Sequence, residues 1–286
     1  MCMKNLIVLL VCISPLIANA QNFHFSARLG LANYQGDLQA KKFTLKQSKF
    51  MWSLGANYDL TEHITARTYF TFTSLQGDDK KGTTSMQQRN LSFATKLMDW
   101  ELGAQYNILS LNNHWWTPYI FLGVGVFHYK PYTKQVDGTK TFLQPLSTEG
   151  QGFEPGIKPY KLTQLSLPFG IGGQYVLNED IRVGLEFGFR KLFTDYLDDV
   201  SGDYVDEAAL FSARGQTAVD LAYRGDEVGA GPYPAAKTQR GNAGDKDAYY
   251  YLALTVTVRF MDTYKKIAGL PAYRKEKKVG CPSTRF

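Results

Sequence analysis

The 286-residue chain has a formal net charge of +6 and a mean hydropathy of −0.27. Outside the first twenty residues, no run is long and apolar enough for a transmembrane helix, which argues against a helical membrane protein. Tyr and Phe number 18 each and Gly numbers 26. This aromatic, glycine-rich composition is typical of outer-membrane barrels, in which lipid-facing and lumen-facing residues average to a slightly polar chain.

The first twenty residues have the pattern of a secretory signal peptide. Lys4 supplies the positive start, residues 6–17 are apolar, and Ala18-Asn19-Ala20 is a small-residue cleavage site. We therefore expect residues 1–20 to be removed, so that the exported chain begins at Gln21.

After this segment, apolar and polar residues alternate with period two in eight stretches. In the last of them, Leu254 and Val256 alternate with Ala253 and Thr255. An even number of such stretches predicts an all-β fold, an eight-stranded antiparallel transmembrane β-barrel over residues 21–260. The predicted strands are 23–31, 50–59, 64–75, 91–108, 117–130, 160–177, 181–190 and 249–260.

The connections between these stretches alternate in length, as in outer-membrane barrels, which have short periplasmic turns and long extracellular loops. We therefore expect an integral protein of the bacterial outer membrane, in contact with its lipid and with both termini in the periplasm. The loop 201–246 shows no helix or strand signal, and a loop of this length is usually functional or disordered. Short connections are predicted at 59–63, 110–116 and 178–180, and long ones at 33–48, 76–90, 131–159 and 201–246.

Alternation alone does not say which face of the barrel points inward. An apolar interior with a polar exterior would describe a soluble, lipocalin-like barrel. Charged side chains share the mixed face, which favours a polar lumen within a membrane. Because eight strands enclose only enough room for side chains, we predict a packed ion-pair network and no channel. The predicted network consists of Arg28, Asp59, Arg67, Asp99, Glu101, Arg182, Glu186, Arg190 and Arg259.

Few residues of the chain are suited to catalysis. Hydrolysis needs a base, commonly histidine, beside a nucleophile. Ser26 is two residues from His24, but no third partner can be assigned from the sequence. We therefore predict a protein that is not an enzyme and needs no cofactor. An acidic segment leaves a calcium site open as an alternative to a solvated loop; its candidate ligands are Asp195, Asp198, Asp199, Asp203 and Asp206.

Four segments carry a resemblance: Asn33-Tyr-Gln-Gly-Asp-Leu38, Arg89-Asn-Leu-Ser-Phe93, Thr117-Pro-Tyr-Ile-Phe-Leu-Gly-Val-Gly-Val-Phe127 and Phe193-Thr-Asp-Tyr-Leu-Asp-Asp-Val-Ser-Gly202. The chain resembles the PorG-type barrel family of the Bacteroidetes, which is associated with the type IX protein secretion and gliding machinery. The resemblance spans nearly the whole exported chain. It implies a non-enzymatic barrel attached to a periplasmic ring, made of a lipoprotein and its partner, beneath the outer membrane.

Residues 261–286 form a basic tail that we expect in the periplasm. Seven basic and two acidic residues give it a net charge of +5, so it carries the excess positive charge of the exported chain. Such a tail can reach an acidic protein surface or anionic lipid headgroups, and a tail lying on the inner leaflet is the alternative. The predicted partner-binding residues are Tyr264, Lys265, Lys266, Tyr273, Arg274, Lys275, Lys277, Lys278 and Cys281.

Cys281 is the one cysteine outside the N-terminal segment. An odd cysteine in an exported protein indicates an intermolecular disulfide or a free thiol. We therefore predict a scaffold or anchor whose tail and periplasmic turns dock the ring, with no nucleic-acid partner. The alternative function is a surface barrel that binds a ligand or host molecule through its extracellular loops.

Overall fold

The computed structural model describes residues 22–41, 43–178 and 180–259. In this part of the chain nine antiparallel strands form one sheet, and eight of them close into a barrel, while the short β6 extends β5 as a hairpin. The strands are β1 (Phe23–Gln35), β2 (Lys49–Asp59), β3 (Ile64–Asp78), β4 (Ser92–Asn107), β5 (Trp116–Lys134), β6 (Lys140–Phe142), β7 (Thr163–Val176), β8 (Ile181–Leu192) and β9 (Ala248–Arg259).

The barrel closes where β1 pairs with both β2 and β9. Phe25 lies opposite Ala56 of β2 on one side and opposite Val258 of β9 on the other. The strand order β4–β3–β2–β1–β9–β8–β7–β5 is completed by the pairing of β4 with β5. Each barrel strand therefore has two hydrogen-bonded neighbours. The predicted closed, antiparallel, eight-stranded barrel is confirmed.

The two faces of the strands differ as alternation predicts. In β9, Leu254 is 65% exposed, whereas Ala253 and Thr255 beside it are 1% and 8% exposed. Phe70 of β3 and Leu122 of β5 are exposed on the same outer face. An apolar exterior on a closed barrel fits the hydrocarbon core of a membrane. The soluble, lipocalin-like alternative is therefore wrong.

The two ends of the barrel differ in their connections. A strand needs about 9–11 residues to cross a membrane. The 15 residues of β3 and the 19 of β5 therefore reach well beyond it. We call the two ends the short-turn end and the long-loop end, and the four long loops together the cap. The short turns are residues 60–63, 108–115 and 177–180, and the cap consists of 36–48, 79–91, 135–162 and 193–247.

The cap contains three short helices, α1 (Thr84–Arg89), α2 (Glu207–Arg214) and α3 (Gln216–Ala222). The expectation that the loop 201–246 lacks helices is therefore wrong. The helices α2 and α3 have eight and seven residues and meet at Gly215, so each is too short for an apolar period to be recognised in the sequence. Among the helices of the described residues, none is long and apolar enough to cross a membrane.

Buried apolar side chains gather toward the long-loop end. One cluster lies at the long-loop end of the lumen, where the barrel meets the cap. It includes Tyr34, Leu38, Phe127, Leu192 and Tyr249. A second cluster joins α2 to α3 and consists of Val205, Leu210, Ala218, Val219 and Ala222. The cap thus has a hydrophobic core of its own, which fixes its loops on the barrel.

Candidate functional site

Three arginines and three carboxylates fill the middle of the barrel. All six side chains lie at inward positions of regular strands, so strand alternation directs them to one place. We call them the lumen network. Its members are Arg28 of β1, Arg67 of β3, Asp99 and Glu101 of β4, and Glu186 and Arg190 of β8, each 2% exposed or less.

Glu186 lies at the centre of the lumen network. Its Oε1 is 2.7 Å from Nη1 of Arg28 and 2.9 Å from Nη2 of Arg67, and its Oε2 is 2.9 Å from Nη1 of Arg67. Arg67 therefore binds the carboxylate with both arms of its planar fork, the strongest arrangement for such a pair. The hydroxyls of Tyr119 and Tyr251 donate to the same carboxylate at 2.8 and 2.5 Å.

Glu101 connects the third arginine to this group. Its Oε1 accepts from Nε of Arg67 at 3.2 Å and lies 3.5 Å from Nη1 of Arg28. Its Oε2 accepts from Nη2 of Arg190. Nε of Arg190 is in turn 3.3 Å from Oδ2 of Asp99. Three positive and three negative charges thus form one continuous, neutral network.

Aromatic rings pack against the guanidinium planes of the lumen network. Cζ of Arg28 lies 3.6 Å from the ring centre of Tyr69, and Cζ of Arg67 lies 3.9 Å from that of Phe121. A guanidinium over a ring is attracted by the electrons of the ring face, most strongly where water is excluded. The arginine side chains are therefore held by rings as well as by carboxylates.

Two inward glycines make room for the tyrosines that reach Glu186. A Cβ on Gly172 would lie 2.3 Å from the ring of Tyr119, and one on Gly188 would lie 2.3 Å from the ring of Tyr251. Any other residue would collide with these rings. Across the described strands the middle of the lumen is therefore occupied by side chains, as expected for eight strands.

Three of the predicted lumen residues lie apart from this network. Asp59 and Arg182 pair at 2.9 Å near the short-turn end, where they are 20% and 16% exposed. Arg259 lines a cavity of about 270 Å³ together with these two residues. The nine residues predicted as one network therefore form two groups, because these three occupy the ends of their strands.

Arg240 connects two loops of the cap. It is 4% exposed, and its Nη1 donates to Oε1 of Glu149 at 2.7 Å and to the carbonyl oxygen of Asp199 at 2.6 Å. Its Nε donates to the carbonyl oxygen of Ala222 at 3.1 Å. One guanidinium thus holds the segment 135–162 against the helical segment that follows β8.

Arg89, at the end of α1, connects two further loops to the same body. Its Nε and Nη2 donate to the two carboxylate oxygens of Asp79 at 2.8 and 2.9 Å. Nη2 also donates to the carbonyl oxygen of Asp37 at 2.9 Å, and Nη1 donates to that of Arg240. Sequence reasoning missed the roles of Arg89 and Arg240, because each binds backbone carbonyl oxygens far away in the chain, which strand alternation does not reveal.

The five calcium candidates are not brought together. Within the described residues, no group of three or more His, Cys, Asp or Glu side chains is arranged to hold a metal ion. Each candidate instead takes part in a separate contact of the cap. The partners are Ser201 for Asp195, Tyr34 and Val200 for Asp198, Thr148 and Tyr160 for Asp199, Gln239 through the backbone for Asp203, and Ala209 for Asp206.

Burial changes the acidity of several cap carboxylates. It raises the pKa of Asp195 and of Asp199 to about 6, and it raises the pKa of Asp198 and Asp247 well above the usual value. The Tyr34 hydroxyl donates to Asp198 and lies 3.2 Å from Oδ1 of Asp247. Burial disfavours the charged form of a carboxylate, and at Asp199 this effect outweighs the nearby guanidinium of Arg240. The cap therefore contains several aspartates that bind a proton more tightly than an ordinary aspartate does.

The pair of His24 and Ser26 considered from the sequence is not formed. The Ser26 hydroxyl is 2.8 Å from that of Thr257 and accepts from Asn57 at 2.9 Å, while Nδ1 of His24 lies 3.7 Å from the Asp59 carboxylate. The remaining histidines contact a carbonyl oxygen or a threonine hydroxyl. Their partners are Asn107 for His63, Ser110 for His114 and Thr163 for His128.

The predicted partner-binding residues, from Tyr264 to Cys281, lie outside the described residues. The path of β9 shows where the described chain ends. β9 begins beside the cap at Ala248 and ends at Arg259, close to the short turns. The described chain therefore ends, at Arg259, on the short-turn end of the barrel.

Solved structures of small outer-membrane barrels are similar to the chain in fold. Neisserial surface protein A is 12% identical with a TM-score of 0.41, and the match covers 84% of this chain and 97% of that one. Ail of Yersinia pestis, in complex with the heparin analogue sucrose octasulfate, is 12% identical with a TM-score of 0.40 and coverages of 84% and 99%. OprG of Pseudomonas aeruginosa is 12% identical with a TM-score of 0.39 and coverages of 83% and 94%. Similarity at this level carries no argument about function.

The comparison with protein families is more informative. No curated protein matches the chain. Residues 6–214 match the family described as outer membrane protein beta-barrel domain. This match covers more than half of the 286 residues and agrees with the closed barrel and its apolar exterior. The protein therefore belongs to the outer-membrane β-barrel domain family.

Proposed function

We propose that the protein is a non-enzymatic outer-membrane scaffold of the type IX protein secretion machinery. In this proposal the short-turn end faces the periplasm, where the tail and the turns hold a ring made of a lipoprotein and its partner. The observation that carries the proposal is the filled lumen. A barrel whose interior is a neutral, buried network offers no path to a solute, so its role lies in its surfaces.

The cap supports the assignment to this machinery. Three of the four segments that resemble the PorG-type family meet there, although they are far apart in the sequence. Tyr34 of the first donates to Asp198 of the last, and its ring centre lies 4.8 Å from that of Phe93 in the second. Arg89 of the second segment donates to the carbonyl oxygen of Asp37 in the first. The segments that carry the resemblance therefore include three that contact one another in the folded protein, and the resemblance does not depend on strand alternation alone.

Docking through the tail is tested by deleting residues 262–286 and crosslinking in cells. The position of Arg259 at the short-turn end and the net charge of +5 in the tail support this site. We expect the truncated barrel to insert and to lose its crosslinks to the ring proteins. A matched variant keeps the tail and carries Gln in place of Lys265, Lys266, Lys275, Lys277 and Lys278; we expect its crosslinks to weaken as well. Full capture of the ring by the truncated barrel would show that the tail is not the docking element.

Cys281 is proposed to close an intermolecular disulfide at this contact. Diagonal non-reducing gels of isolated outer membranes should show a mixed dimer that disappears in Cys281→Ser. A wild-type sample containing monomer alone, with Cys281 open to alkylation, would remove this part of the proposal while leaving the docking site itself intact.

The non-enzymatic assignment has its own test. Among the described residues, no histidine ring hydrogen-bonds both a hydroxyl group and a carboxylate. Loss of the protein should therefore leave the lipid A and phospholipid profiles of the cell unchanged. A changed profile, restored by the wild-type chain, would contradict the proposal.

A second candidate function is ligand binding at the cell surface. The observation in its favour is a cavity of about 540 Å³ in the cap, lined among others by Arg89, Tyr204, Tyr223 and Arg240. A fixed polar cavity with aromatic walls is suited to a small ligand. This candidate predicts the opposite pattern: Tyr204→Ala with Tyr223→Ala abolishes function, and deletion of the tail has no effect.

A further inference from the structure

A row of lysines lies on the outer wall of the barrel at the long-loop end. Lys96 of β4 lies directly opposite Lys130 of β5, and Lys134 of β5 lies directly opposite Lys140 of β6. All four side chains are exposed. We call them the lysine row. Like charges directly opposite each other on antiparallel strands are destabilising, so two such pairs side by side indicate an anion that neutralises them.

Within the described residues, no carboxylate forms a salt bridge with the lysine row. In the described part of the chain every salt bridge involves arginine or histidine, and none includes a lysine. The ammonium groups lie over rings instead, that of Lys130 at 4.1 Å from Phe142 and that of Lys140 at 3.8 Å from Tyr132. Asp137, in the hairpin turn between β5 and β6, accepts from Thr139. The rings orient the ammonium groups without cancelling their charge.

The lysine row begins where the apolar exterior of β4 ends. The outward positions of β4 run from Tyr106 through Leu102, Trp100 and Met98 to Lys96. Ten residues at a rise of about 3.3 Å and a strand tilt of about 40° span roughly 25 Å along the membrane normal. This is about the height of the apolar band of an outer-membrane barrel. Lys96 therefore lies at the level of lipid headgroups.

An apolar groove runs along the outer wall directly below the lysine row. It has a volume of about 530 Å³ and is lined among others by Phe50, Trp52, Phe72 and Met98, with Lys49 and Lys96 also on its wall. The rings of Trp52 and Phe72 are stacked with their centres 4.5 Å apart and form one flat side. A groove of this kind suits an acyl chain whose headgroup carries negative charge.

We propose that this face binds one molecule of a lipid that carries at least two phosphates in the leaflet on the long-loop side. One phosphate contacts Lys96 and Lys130, the second contacts Lys134 and Lys140, and an acyl chain lies against Trp52. The two pairs are about 13 Å apart along β5, because Lys134 lies four residue steps beyond Lys130. The inference rests on the membrane orientation given under the proposed function, and it is independent of the docking role of the tail.

The test uses the exported chain, purified in a zwitterionic detergent and titrated with defined lipids under native mass spectrometry. The probes are diphosphoryl lipid A, its fully dephosphorylated form and phosphatidylglycerol. The variant is Lys96→Gln with Lys130→Gln and Lys140→Gln. The matched control changes the same charge at exposed lysines of the cap, as Lys41→Gln with Lys46→Gln and Lys81→Gln. The shift of the folded barrel in unheated gels verifies that each variant is folded.

We expect the wild type to bind the diphosphoryl lipid at least about tenfold more tightly than its dephosphorylated form, with binding that weakens as salt rises. This preference should disappear in the lysine-row variant and persist in the control. Equal binding of the two lipid A forms by the wild type overturns the inference without any variant. Equal losses in both triple variants, or tighter binding of phosphatidylglycerol, overturn it too. None of these outcomes bears on the crosslinks that test the tail.

Discussion

The lumen network and the cap are both held by arginines, yet the two are built differently. In the lumen, Arg28, Arg67 and Arg190 bind carboxylates that regular strands direct inward. In the cap, Arg89 and Arg240 each bind one carboxylate and, in addition, two backbone carbonyl oxygens of loops. Strand pairing fixes the positions of the lumen arginines, whereas the cap arginines themselves fix the positions of the loops that they contact. We therefore expect damage to the lumen to affect the whole barrel and damage to the cap to remain local.

The largest effect is expected from Glu186→Ala. It leaves the guanidinium groups of Arg28 and Arg67 buried with one fewer carboxylate, and removing one partner of a buried ion pair costs about 3–5 kcal/mol. The free energy of unfolding in urea, measured in lipid vesicles, should fall by this amount, and the folded band in unheated gels should be lost at lower temperature. Glu62→Ala, at a short turn, is the control. An unchanged free energy of unfolding would contradict the central role of Glu186.

A more local effect is expected from Arg240→Ala. The change leaves Glu149 and two carbonyl oxygens without their buried donor, at a cost of about 2–4 kcal/mol to the cap. Proteolysis within residues 201–246 should become much faster, while the unfolding of the barrel in urea stays as in the wild type. Equal destabilisation of cap and barrel would show that the two regions form one cooperative unit.

A smaller effect is expected from pH. Burial raises the pKa of Asp199 to about 6 in the folded cap, from 3.8 for an ordinary aspartate. The folded cap therefore binds this proton more tightly than the unfolded chain. Protonation of Asp199 therefore stabilises the folded cap. This stabilisation is complete below about pH 4 and is lost as the pH rises through about 6. Hydrogen exchange in residues 193–202, corrected for intrinsic rates, should slow when the pH falls from about 8 to about 5. In Asp199→Asn the exchange rate should depend less on pH. An equal pH dependence in this variant and in the wild type would contradict the role of Asp199.

The smallest effect is expected from Arg182→Gln at the short-turn end. The pair of Arg182 with Asp59 is partly exposed to water, and pairs of this kind contribute at most about 1 kcal/mol. The same urea measurement in vesicles should detect little change. A loss as large as that of Glu186→Ala would show that the two groups of lumen residues act together.

The barrel was predictable because its signal is repeated in every strand. Leu254 and Thr255 face opposite sides, as their alternation requires, and eight such stretches specify the closed sheet. The inward charged residues follow from the same period, so the members of the lumen network were identifiable. Their separation from Arg182 was not, because alternation assigns a face and gives no information on depth along the lumen.

The cap was not predictable from periodicity. Its short helices α2 and α3 follow Asp206 and Gly215, and its arginines bind carbonyl oxygens whose positions depend on the folded loops. The acidic segment illustrates the difficulty. In the sequence, Asp195, Asp198 and Asp199 have the appearance of metal ligands. In the folded structure each side chain accepts a hydrogen bond from a different hydroxyl group.

The central claim, that the barrel is a sealed scaffold, is tested most directly by conductance in planar lipid bilayers. The measurement compares the intact protein with one whose cap has been cut by protease after insertion. The lumen network itself fills the barrel, so we predict no steady current steps in either sample. Steps that are proportional to voltage and persist in the wild type would contradict the account, because they require a water-filled path past Glu186.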